Sequence, residues 1–202
     1  MTHLTSEPAD ATPLSESERE GLQLPVLTRA ELNLVEAENI SEAMTWVFGS
    51  SRRLRPGSIV QETWLKTLHR RMYGNVWGWA GQYRTTDRNL GVPFWQIRMD
   101  MHNIEADAHA WLADTRSERY GDDECAIRFG YRLVIVHPFP NGNGRWSRLA
   151  SDALIVALGG PRFTWGGTAL TEPSRSRRDY IKTLRIADST GEFGPLIEFA
   201  RR

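Results

Sequence analysis

The chain has 202 residues, most simply one domain with a loosely attached start and enough material for a real buried core. Its 25 basic and 25 acidic side chains cancel, so no whole-chain field draws it to nucleic acid or to an anionic membrane. One cysteine, Cys125, excludes an internal disulfide, and nothing in the spacing of Cys and His suits a zinc cluster.

Residues 1–11 are polar and acidic without an apolar core, so no signal peptide is expected, and no later run is long enough to span a bilayer. A cytoplasmic protein is the expectation. Thr28 and Glu31 form a capping box ahead of a helix over residues 29–48. Ser58 is placed to cap the next helix, residues 59–72, with Ile59, Trp64, Leu65, Leu68 and Met72 on its buried face. A glycine-rich turn occupies residues 73–81. Residues 83–98 carry β-preferring side chains on both sides of Leu90-Gly91, which predicts an irregular hairpin. Helices follow over 101–118, 122–136, 144–158 and 173–187, and a short last one starts at Gly194 with Pro195 in its first turn. Cys125 is expected as a small buried hydrophobe, and Trp46, Trp64 and Trp111 as core packing. The division is a 1–27 segment followed by one domain over 28–202, an all-α bundle with a small β-hairpin flap.

The most informative stretch joins the 122–136 and 144–158 helices: His137-Pro138-Phe139-Pro140-Asn141-Gly142-Asn143-Gly144-Arg145. The two prolines stop the first helix, because proline lacks an amide hydrogen and biases its predecessor away from the α region. Gly142 and Gly144 let the backbone turn tightly and approach a ligand. Amides from Gly142 to Arg145 would open the next helix, where unpaired N–H groups and the macrodipole favour an anion. A base, an amide nest and cations in one turn suit a polyphosphate. The plain alternative is an ordinary helix-loop-helix connection, rich in Gly and Pro as turns are.

This string, continued by Trp146-Ser147-Arg148, resembles the signature of the Fic family, His-Pro-Phe-x-(Asp/Glu)-Gly-Asn-Gly-Arg-x-x-Arg. Gly81-Gln82-Tyr83-Arg84 and the Ala11-Thr12-Pro13-Leu14 start are similar to the Fic subgroup called mobile mystery protein B. The resemblance implies a helical Fic fold that transfers AMP from ATP to a Ser, Thr or Tyr hydroxyl of a protein. His137 then serves as the general base, with a helix-capping histidine as the alternative. Gly142, Asn143 and Gly144 bind the phosphates, Asn143 adding a side-chain donor, and Arg145 and Arg148 supply positive charge. Either arginine could instead be a solvated helix charge. Leu90, Gly91, Val92, Pro93, Phe94, Trp95, Gln96 and Ile97 make up the flap against which a target segment docks.

Two positions depart from the family. Asn141 stands where the family has an acid that binds Mg2+, and a neutral amide is a poorer ligand for a hard cation. Mg2+ binding is expected to be weakened. Glu20-Gly21 is similar to the end of the family's inhibitory helix, (Ser/Thr)-x-x-x-Glu-(Gly/Asn), with Glu16 in the hydroxyl position. The resemblance sets Glu20 opposite Arg148. An acidic solvated helix face is the alternative. The expected partners are ATP or another nucleotide and a protein target, with no nucleic acid and no membrane, and self-association is left open. Transfer of another phosphate moiety, removal of AMP, and a binding module without chemistry stay open beside adenylyl transfer.

Overall fold

The computed structural model describes residues 20–25, 29–49, 54–114, 120–167 and 175–202. Its helices are α1 (Arg29–Phe48), α2 (Pro56–Ile59), α3 (Glu62–Tyr73), α4 (Ile97–Asp114), α5 (Asp122–Val136), α6 (Asn143–Leu158), α7 (Arg175–Thr190) and α8 (Gly194–Arg201). A 3₁₀ turn, η1 (Phe94–Gln96), precedes α4. Among the described residues there is no strand, only an isolated antiparallel bridge between Leu22 and Trp77. No described helix is long and apolar enough to cross a membrane.

α6 is the centre of the bundle. Trp146, Leu149, Ala150, Ala153, Leu154 and Ile155 are buried on it together with Ser147, Ser151 and Asp152, so nearly its whole circumference is covered, as expected of a core helix. α5 packs along it, α1, α2 and α3 also touch it, and α4 lies on the far side of α5. α3 buries Leu65, Leu68, His69 and Met72, the i, i+3, i+4, i+7 stripe of an amphipathic helix. On α1 the buried face is Leu32, Glu36, Ile40, Ala43 and Val47. A carboxylate therefore occupies a core position.

Helix spans agree with the sequence pattern where local signals set them and shift where distant groups do. The single helix expected over residues 59–72 is two, because Gln61 is extended (φ −69°, ψ 137°). Ser58 lies inside α2, which starts at Pro56, and caps nothing. What satisfies the first amide of α3 is Glu105 on α4, whose Oε2 accepts from Glu62 N at 3.0 Å. Thr28 lies outside the described residues, as do 115–119 and 168–174.

The hairpin expected over 83–98 does not form. Asp87 Oδ1 accepts from Phe94 N at 2.8 Å and starts η1, and α4 begins at Ile97, four residues early. Carbonyls that a second strand would have paired are taken instead by the Arg84 side chain. Trp46, Trp64 and Trp111 are only partly buried at the edge of the core. Trp77 and Trp146 are the tryptophans among the largest fully buried side chains. Cys125 is buried, and burial pushes its thiol up to about 12.

Candidate active site

α5 ends at His137, which caps it in the left-handed conformation (φ 52°, ψ 57°) while its amide still bonds Leu133 O. Non-glycine residues adopt that conformation at a cost of about 1–3 kcal/mol, so surrounding structure must hold it. The ring Nδ1 lies 3.4 Å from Val134 O. A carbonyl only accepts, so this contact places the proton on Nδ1 and leaves the Nε2 lone pair open. Burial drives the ring down to about 4; the Val134 contact opposes this, and the Arg84 and Arg88 charges add to it. His137 is therefore neutral near pH 7. The capping role and the base role are compatible, since they use different nitrogens.

Beyond His137 the loop is fastened from inside. Phe139 is fully buried, with its ring 3.7 Å from that of His69 and edge-on to Trp146 at 4.8 Å. Asn143 Oδ1 accepts from Phe139 N at 2.9 Å, and its Nδ2 donates to Phe139 O at 2.8 Å. The expected side-chain donor to phosphate is thus turned inward. Asn143 has only its backbone amide to offer a ligand. Gly142 has φ 81°, and a Cβ there would fall 2.5 Å from the Tyr73 ring. No side chain caps α6, and the space beside Gly144 is clear for 4 Å. The Asn143, Gly144 and Arg145 amides that open this 16-residue helix take no backbone or side-chain acceptor among the described residues, the arrangement that suits an anion.

His69 fixes the loop from below. Its Nδ1 accepts from Gly81 N at 3.0 Å, so Nε2 carries the hydrogen given to Asn141 O at 3.1 Å. Burial brings this ring down to about 3, which keeps it neutral. His69 has no motif to mark it in the sequence; its one signal is a histidine inside the apolar helical stripe of α3.

Asn141 Oδ1 already accepts from Gly142 N at 2.7 Å. Among the described residues no group of three or more His, Cys, Asp or Glu could hold a metal ion. The loop therefore presents a magnesium ion with no carboxylate, and its amide oxygen is engaged. These residues do not fit a protein-held Mg2+ site.

The two motif arginines sit differently. Arg145 Nη2 donates to Glu36 Oε2 at 2.7 Å, and its guanidinium lies 5.3 Å from the Tyr73 ring centre. Arg148 folds back so that Nε donates to Gly144 O at 3.1 Å, with Tyr180 and Trp165 rings at 5.1 and 6.0 Å. Glu20 is exposed on a turn, not on a described helix. Gly78 N donating to Gly21 O at 2.7 Å and Gln23 N donating to Val76 O at 2.8 Å hold that turn. No described ion pair joins Glu20 to Arg148. The carboxylate that meets a motif arginine is Glu36, which the sequence reading did not single out; residues 1–19 lie outside the described residues.

Above the histidine lies the 83–96 loop. Val92 N donates to Val136 O at 3.3 Å. A Cβ on Gly91 (φ 95°) would fall 2.6 Å from the His137 Cβ. Leu90, Phe94 and Trp95 are exposed, Trp95 by 70%, and Met99 on α4 extends the apolar patch. Ile97, grouped with the flap in the sequence, is buried in the core.

A loop of this build, between two helices of this bundle, matches a known family: residues 59–155 fit the Fic/DOC family. Through them the chain belongs to that family. It is 30% identical over 138 residues to the protein adenylyltransferase fic-1 of Caenorhabditis briggsae, which covers 67% of this chain and 25% of the relative. A protein adenylyltransferase Fic from Nematostella vectensis is likewise 30% identical, over 67% of this chain and 30% of that protein. The chain spans about a quarter to a third of these relatives' length. Among solved structures, a fragment of Fic-1 from C. elegans superposes with a TM-score of 0.62 at 26% identity, covering 90% of this chain and 50% of the other. BepC from Bartonella tribocorum, solved with bound AMPPNP, gives a TM-score of 0.64 at 16% identity over 93% of this chain and 97% of that one, a likeness of fold alone. In this Fic chain, the string from His137 to Arg148 spans the loop after α5 and the first turns of α6.

Proposed function

We propose that the chain is a protein adenylyltransferase that moves AMP from ATP to a Ser, Thr or Tyr hydroxyl of a protein. The observation that carries this reading is a neutral His137 with Nε2 open, held beside uncapped amides at the start of α6. Nε2 takes the hydroxyl proton as the oxygen attacks the α-phosphorus. The bond from that phosphorus to the bridging oxygen breaks, and pyrophosphate leaves with the electron pair. The amides of Asn143, Gly144 and Arg145 hold phosphate oxygens, Gly142 N being taken by Asn141 Oδ1, and Arg148 stands over Gly144 as the nearby cation. Leu90, Phe94 and Trp95 receive apolar side chains of the target segment beside the base. The same reading puts the boundary of the Fic domain at residue 28, after a 1–27 segment of which residues 21–23 bond to residues 76–78, and sets the protein in the cytoplasm where ATP is supplied.

One observation favours a second reading. With Asn141 Oδ1 committed to Gly142 N, a protein that binds nucleotide without transferring it is the alternative. Intact-mass analysis after incubation with ATP and Mg2+ separates the two. A gain of one AMP on the chain or on added protein supports transfer; nucleotide binding with no covalent gain supports the module.

A further inference from the structure

Arg84 ends the Gly81-Gln82-Tyr83-Arg84 stretch, outside the nucleotide loop, and its side chain is fully removed from solvent. Nε donates to His137 O at 2.8 Å, Nη1 to Thr86 O at 2.9 Å, and Nη2 to Val92 O and, at 3.5 Å, to Val136 O. Its backbone amide donates to Pro138 O at 2.9 Å. One residue therefore binds three successive carbonyls, 136 to 138, at the point where α5 turns left-handed into the motif. The nearest carboxylate, Asp87, is 3.9 Å away, mostly exposed, and occupied with Phe94 N. A buried cation with carbonyl partners at a helix C-terminus satisfies orphan acceptors and complements the helix dipole. The same guanidinium grips Val92 O on the flap. Flap and base are thus fastened to one side chain.

We infer that Arg84 is the positioning residue of this site: it holds His137 in its left-handed geometry and sets the flap against it, so that base and target segment share one frame. The inference rests on the transfer reading only for its kinetic arm. Arg84→Lys keeps the charge but replaces a planar fork of five N–H donors by a single ammonium, which cannot reach carbonyls on both the flap and α5.

The test measures Arg84→Lys in three ways. The kcat for AMP transfer should fall at least about tenfold, as expected when a base is misplaced by a fraction of a hydrogen-bond length, while the KM for ATP stays at its parent value. ATP affinity, read by calorimetry, should be unchanged. In protein carrying 13C-labelled histidine, the ring signal of His137 should move while that of His69 stays. An unmoved His137 signal with unchanged kcat overturns the inference, and so does a loss in which kcat, ATP affinity and the His69 signal all change together. Should Arg84→Lys fail to fold, Asp87→Ala tests the same coupling from the flap side, because Asp87 bonds Phe94 N, lies 3.9 Å from the Arg84 guanidinium and makes no bond to His137. It should lower kcat and move the His137 signal, and an unmoved signal overturns the inference. A parent protein that labels nothing counts against the transferase reading alone, because the histidine signals still decide the role of Arg84.

Discussion

Glu36 and Arg145, 109 residues apart in sequence, meet at 2.7 Å in the core. The other carboxylate oxygen of Glu36 accepts from Trp77 Nε1 at 2.9 Å. This pair ties α1 to the first turn of α6 and holds the first motif arginine away from a freely mobile role. Removing one partner of a buried pair leaves an uncompensated charge, at about 3–5 kcal/mol. Glu36→Ala should lose stability in that range by urea unfolding. Glu36→Gln, which keeps an acceptor for Trp77, should lose less. An equal, negligible loss in both would show Arg145 satisfied without Glu36.

Glu20 tests the opposite expectation. Its carboxylate is exposed on a turn pinned to residues 76–78, so it cannot be the buried partner of a motif arginine in this arrangement. Glu20→Gly should leave labelling by ATP unchanged across a range of nucleotide concentrations. A clear rise would mean that the N-terminal segment reaches Arg148 in another arrangement.

Asp152 is 1% exposed, bonded through Oδ1 to Trp165 Nε1 at 3.0 Å, and its Oδ2 has no hydrogen-bond partner. Burial raises its carboxyl to about 7, against the opposing pull of the Trp165 bond and the Arg162 charge. The folded value lies above the unfolded one, so the native state binds the proton more tightly. Stability is full below the unfolded value near 4 and is lost as pH rises towards 7 and beyond. His69 and His137 act in reverse, since their folded values are depressed and stability is lost as pH falls below about 6.5. Comparing Asp152→Asn with the parent cancels the histidines. The variant's relative stability should increase by about 2 kcal/mol from pH 5 to pH 8. A difference independent of pH would show that Asp152 is not the titrating group.

The loop from His137 to Arg145 and most helices were legible because their determinants are local. Prolines, glycines and a 3.6-residue apolar period decide where α5 stops and α6 starts. What stayed hidden depends on partners far away in sequence. Nothing near Glu62 announces that Glu105 caps α3. The β-preferring residues of 83–98 promised a ladder, but a ladder needs a free partner strand, and Arg84 claims the carbonyls first. Asn143 looked like a phosphate ligand by type, yet both polar atoms close the loop on Phe139. Glu36 could have been found from the pattern: a carboxylate on the apolar face of α1 requires a buried cation or donor.

Asn141→Asp is the change that most sharply tests the site. The substitution barely alters volume and adds a charge where Oδ1 now accepts from Gly142 N at 2.7 Å. That amide can still donate to one carboxylate oxygen, which leaves the second oxygen and the charge for a hard cation. If transfer from ATP is limited by metal, labelling should rise in the variant, most at low Mg2+, and its apparent Mg2+ requirement should fall. If Asn141 serves only to shape the turn, the two proteins should show the same Mg2+ titration. A variant that labels less, with ATP binding intact, would mean that a negative charge at this point repels the phosphates that the neutral amide admits. In that case the chain is adapted to hold nucleotide without a protein-bound metal, and the binding-module reading gains over the transferase.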